Sequence, residues 1–118
     1  MLRTVSSLGI VLALAGPAAA EGFERIEQRD RFLAVVQDRD LSRFGIRVKV
    51  TGGGDIVGRA FGQKVSGDWE WRQGYFCRSL FWGSRNLGDN CQKVEVRGGT
   101  VRFTSDLGEG QFADLKIN

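Results

Sequence analysis

The chain contains no histidine, and that absence removes more chemistry than any motif supplies. Ser-His-Asp and Cys-His nucleophiles need an imidazole base. The usual neutral-pH proton shuttle and the commonest zinc ligand go with it. Cys77 and Cys91 are the only thiols. Neither has a partner at C-x-x-C spacing, and in an exported domain they are expected to pair with each other, leaving no thiolate. Carboxylates remain. Asp68 and Glu70 lie two apart on one strand face, a spacing that glycosidase-like acid chemistry can use. A solvated strand face with Glu70 beside Arg72 is the favoured reading, because nothing around them signals the burial that raises a carboxyl pKa. Asp106 and Glu109 flank Gly108, where carboxylates serve turns as readily as ions. No catalytic residue, metal ligand or cofactor is therefore assigned.

Binding is the better-supplied chemistry. Trp69, Trp71, Tyr75, Phe76, Phe81 and Trp82 fall within fourteen residues. With Arg78 and Arg85 interleaved, the candidate ligand- or partner-binding set is Trp69, Trp71, Tyr75, Arg78, Trp82 and Arg85. A barrel lined by such rings can hold an apolar ligand. A small barrel also fills its own core with large rings, and core packing is the stronger expectation. Arginines recur on the polar faces, at positions 43, 47, 59, 72, 78, 97 and 102. They suit lipid or polysaccharide phosphates, or plain surface solubility with acids interspersed.

The elements that must position these groups follow a leader. Within residues 1–20, Arg3 supplies a positive n-region, Leu8 to Ala15 is an apolar run, Gly16-Pro17 breaks it, and Ala18-Ala19-Ala20 gives a small-x-small cleavage pattern. This reads as a secretory signal peptide, too short to span a bilayer. It places the protein in the periplasm or outside the cell, not transmembrane after cleavage. Removing twenty residues from 118 leaves 98, enough for one domain (21–118). Without Arg3, sixteen basic residues face fourteen acidic ones, a net charge of +2. Nucleic-acid binders carry a larger, clustered bias, so none is expected as partner.

The periodicity predicts a helix over 24–37, with Ile26, Phe32, Leu33 and Val36 on one face and Glu27–Arg31 as an i,i+4 pair. Asp38 to Ser42 reads as a polar connection. Period-two alternation then predicts about seven short antiparallel strands in a meander, closing into a curved sheet or small barrel. The first runs from Arg43 to Val50, with Phe44, Ile46, Val48 and Val50 inward. Gly52 to Asp55, Gln73-Gly74 and Gly98-Gly99 mark turns. Gly83 to Asn90 reads as a polar loop, clamped at its root by a Cys77–Cys91 disulfide. The helix is left to plug one end or cover an edge.

Four stretches, Gly67-Asp68-Trp69-Glu70-Trp71, Gly74-Tyr75-Phe76-Cys77-Arg78, Asn90-Cys91-Gln92 and Val101-Arg102-Phe103-Thr104, together resemble short exported bacterial proteins that carry the label dihydrodipicolinate reductase. The resemblance covers most of the mature chain. The label implies a Rossmann domain, a Gly-rich nucleotide loop and a histidine-containing catalytic motif. This chain has no βαβ unit, no GxGxxG and no histidine, so no reductase residue carries over. Gly67-Asp68-Trp69 is also similar to the Gly-x-Trp of periplasmic inhibitors of secreted metalloproteases. That likeness implies a small disulfide-bonded β-barrel whose N-terminal arm enters the protease cleft. The functional expectation is a non-catalytic periplasmic β-domain that binds a small ligand or a protein partner, with protease inhibition as the alternative.

Overall fold

The computed structural model describes residues 22–118; the expected leader lies outside them. In chain order the elements are β1 (Glu24–Ile26), α1 (Arg29–Val36), β2 (Leu41–Arg43), β3 (Ile46–Val50) and β4 (Asp55–Ala60). Then follow β5 (Gln63–Arg72), β6 (Tyr75–Trp82), β7 (Arg85–Arg97), β8 (Thr100–Thr104), a 3-10 turn (Asp106–Gly108) and β9 (Phe112–Ile117). Strands β2 to β9 form a closed eight-stranded antiparallel barrel, and β1 adds a ninth strand beside β7.

The turns are written locally. Gln73 and Gly74 both take positive φ, 51° and 86°, the twist that suits a two-residue hairpin. Between β5 and β6 the strands approach so closely at Gly67 that an added Cβ would strike the Ser79 carbonyl oxygen.

Four expectations need correction. The helix is shorter than 24–37. Residues 24–26 are a strand, because β7 runs past β6 and offers an unpaired edge that Glu24, Arg25 and Ile26 fill opposite Val96, Glu95 and Val94. Arg31 accordingly pairs with Glu24, at 3.2 Å, across the bend. Residues 38–42 are not only a connection: Leu41 is fully buried in β2. The alternation from 43 to 50 conceals a reversal at Phe44-Gly45, where Gly45 takes φ 76°, so Phe44 is 92% exposed rather than core. Finally, residues 85–90 are strand, not loop. Their polar side chains suit a wall open to water, and the extra residue Leu87 is absorbed as a bulge between the Leu80–Gly88 and Phe81–Asn86 pairs. Nine strands therefore stand among the described residues where about seven were expected.

Helix α1 plugs one end of the barrel. Phe32 is fully buried at its centre. The rings of Trp71, Phe76, Trp69 and Phe103 surround it, with centroids at 4.9, 5.1, 5.4 and 6.3 Å. Indole N–H groups fasten the plug: Trp71 donates to the Glu27 carbonyl and Trp69 to the Thr51 carbonyl, both at 2.9 Å. Arg29 donates to the Gly52 carbonyl at 3.1 Å. Outside the wall, Phe23 lies under the guanidinium groups of Arg97 and Arg102, at 4.5 and 4.1 Å.

Cys77 and Cys91 are directly opposed on β6 and β7 and form a disulfide. Cys77→Ser is expected to destabilise the fold by roughly 2–5 kcal/mol; identical denaturation midpoints with and without reductant would contradict this. A second expectation concerns acid. Arg102 donates to both carboxylate oxygens of Asp114, at 2.8 and 3.1 Å. That grip holds the Asp114 carboxyl below its ordinary range, outweighing desolvation. A depressed folded-state pKa contributes stability above the unfolded value, and the contribution is lost as pH falls through the folded one. Wild type should therefore lose stability more steeply than Asp114→Asn below about pH 4. Parallel denaturation curves for the two proteins would refute it.

Candidate functional site

Away from the plug, the barrel is not filled. Alternation along β4 and β5 points Gly58, Ala60 and Gly67 inward, and β9 contributes Ala113. These small side chains face medium aliphatic residues such as Val48, Ile56, Leu80 and Leu115. The result is an open cavity of about 390 Å³, within the size range of small-molecule sites. It reaches from Phe76 and Phe103 at the plug to Phe61, Trp82 and Leu87 at the opposite end. An eight-stranded barrel is just wide enough for this: its interior is either packed or holds one small ligand. The expectation of a plain ring-filled core holds at the helix end, where Trp69, Trp71, Phe76 and Phe103 surround Phe32, and fails at the other, where Phe61 and Trp82 line the space without filling it.

Polar lining is sparse: Arg43, Arg78 and Gln92. Gln92 donates to the Ser105 hydroxyl at 3.2 Å. Arg78 stands in β6 between the inward residues Phe76 and Leu80. It donates to the Gly88 carbonyl at 2.9 Å. Burial pulls its pKa below the ordinary arginine value, and the charge of Asp89 opposes that shift. A guanidinium has five N–H donors, so an arginine set in an apolar wall can still donate to an anionic oxygen of a ligand. Trp82 lines the same wall and is braced by donation to the Ala60 carbonyl at 2.8 Å.

The six candidate binding residues therefore separate. Arg78 and Trp82 meet in the cavity. Trp69 and Trp71 belong to the plug. Tyr75 sits at the plugged end under the Arg25 guanidinium, at 4.8 Å. Arg85 is exposed and opposite Trp82 in register. Asp68 and Glu70 line a second, more polar groove over the disulfide, with Asp89 and Asp106, and Arg78 borders this groove as well as the cavity. Glu70 is paired with Arg72 at 3.0 Å, and both are well exposed. That is the solvated face the sequence favoured. Leu115, Leu87 and Phe61 were missed as lining residues. The legible signal was the run of small residues at inward positions, Gly58, Ala60 and Gly67.

No protein-family model matches the chain, and no curated protein or solved structure matches it either. The site therefore has to be read from its own chemistry. Arg78 is a half-buried cation in an apolar wall, and apolar replacement of buried charge is often neutral or stabilising. Arg78→Met is expected to unfold at an equal or higher denaturant concentration than wild type. A clear drop in midpoint would make Arg78 a structural residue instead.

Proposed function

We propose that this chain is an exported, non-catalytic β-barrel that binds one small, largely apolar molecule inside the barrel. The observation that carries this reading is the 390 Å³ cavity walled by hydrocarbon in a domain that otherwise packs its core fully around Phe32. Unfilled apolar space of this size costs stability, since lining atoms lose contacts that packing would supply. Arg78 adds a preference for a ligand with an anionic or strongly accepting group at one end. Export is supported by the leader pattern over residues 1–20 and by the disulfide, a bond at home in oxidising compartments.

The protease-inhibitor reading has less support. Gly67 and Trp69 of its Gly-x-Trp element point into the barrel, and Trp69 packs edge-on against Phe32. Residues 23–26 lie along the outer wall and β7 rather than projecting as an arm. The reductase reading draws nothing from an antiparallel barrel, because it would need a nucleotide loop and parallel strands.

A neutral apolar fluorophore, N-phenyl-1-naphthylamine, tests the proposal. Titrated into the protein, it should saturate at one equivalent and quench Trp82 emission by energy transfer. Ala113→Phe points a ring into the cavity and should weaken binding at least roughly tenfold, about 1.4 kcal/mol, while unfolding stays cooperative. Non-saturating uptake, or equal affinity in the variant, would remove the reading.

A further inference from the structure

The open end of the barrel carries a feature that the cavity does not explain. Three tight connections lie there: Phe44-Gly45 between β2 and β3, Phe61-Gly62 between β4 and β5, and Gly83-Ser84 between β6 and β7. Two of them place a phenylalanine at the tip. Phe44 is 92% exposed and Phe61 60%. Phe61 also takes φ 49°, a left-handed conformation that a bulky residue rarely adopts. Asn or Gly would relieve both the backbone and the exposed ring. Such a double violation, with little burial in return, marks a position kept for function.

The two tips form one unit. The Phe61 N–H donates to the Gly45 carbonyl at 2.7 Å, and the Phe61 ring lies against Gly45 so closely that a Cβ there would collide with it. Leu87, half exposed, stands at the same end. Cations surround the tips: Arg43, Arg59, Lys64 and Arg85, with Arg47 further along β3. Residues 43–47, 59–64 and 81–87 contain no Asp or Glu. Arg47 is already engaged by Asp40 at 3.3 Å. The fourth connection at this end, residues 105–111, carries Asp106 and Glu109. It packs on β7, where Asp106 and Asn90 exchange hydrogen bonds at 2.8 Å.

We propose that this rim docks onto an anionic lipid bilayer, with Phe44, Phe61 and Leu87 entering the headgroup–acyl boundary and Arg43, Arg59, Lys64 and Arg85 meeting lipid phosphates. Rings on projecting turns, encircled by cations, have the composition of an interfacial anchor. They do not make the broad, flat apolar area that a stable protein interface buries. Docking in this orientation brings the cavity mouth to the membrane. The docking itself does not depend on the cavity's holding a ligand, so the two ideas fail separately.

The test is vesicle flotation with protein exported by an expressing bacterium, its N-terminus read by mass spectrometry. Vesicles of phosphatidylcholine alone are compared with vesicles containing phosphatidylglycerol. Wild type should float with the anionic vesicles, stay behind with neutral ones, and release as salt is raised. The double variant Phe44→Ser/Phe61→Asn should lose at least tenfold in vesicle affinity and unfold at an equal or higher temperature, since Asn tolerates the Phe61 backbone. Val57→Ser, an exposed apolar residue on the barrel wall, should bind as wild type does. Absence of wild-type binding to anionic vesicles, or equal binding by the double variant, overturns the proposal. So does a wild-type dimer that the double variant dissolves without any change in vesicle binding, which would assign the rim to a second copy.

Discussion

Barrel closure rests on the division of β7 between two sets of partners. Along Arg85–Gln92 it pairs with β6. Along Lys93–Arg97 it pairs with β8 on one side and β1 on the other. A thirteen-residue strand can thus shut an eight-strand ring and still leave an edge to be covered by three residues from the N-terminal arm. The disulfide lies at the handover: Cys91 immediately precedes Gln92, the last residue matched to β6, and Val94 is already opposite Ile26. The covalent tie therefore fixes the register where hydrogen bonding changes partner, the point at which a one-residue slip would turn the inward set outward.

From this closure the two ends of the barrel acquire different character. At one end the rings of Trp69, Trp71, Phe76 and Phe103 meet a helix of eight residues, whose Phe32 and Val36 fill the ring and leave no exposed surface of their own. Indole N–H groups that such burial would strand are satisfied by carbonyls of other segments. At the other end Gly58, Ala60, Gly67 and Ala113 interrupt the larger inward side chains, and the interior is left partly unfilled. Size alternation along β4 and β5 thus decides both where the core lies and where it stops.

Much of this was legible in the chain. Period-two alternation sets Trp69 with Trp71 on one face of β5 and Phe76 with Leu80 and Trp82 on one face of β6, and the barrel turns both sets inward. Turn dipeptides at Gln73-Gly74 and Gly98-Gly99 fall where the hairpins reverse. Three things were not legible. An apolar alternation does not announce a reversal in its middle, so Phe44 read as core. Polar residues in a wall open to water carry no hydrophobic period, so residues 85–90 read as loop. Glu24 to Ile26 has helix-compatible composition, and only the edge left by β7, a tertiary fact, turns it into strand. The site was half legible: Arg78 and Trp82 were on the candidate list, yet the cavity they share is defined mainly by side chains that are missing.

The spatial separation of plug and cavity bears on how this domain can change over generations. Stability is concentrated around Phe32, the disulfide and the β7 handover, where substitutions are costly. The opposite half, with Ala60, Ala113 and Leu115 on its inner wall, borders unfilled space, so replacement there by residues of similar size disturbs fewer packed neighbours. Selection can then reshape the interior with little thermodynamic penalty. Descendants of one barrel would keep the same skeleton while diverging in what they enclose.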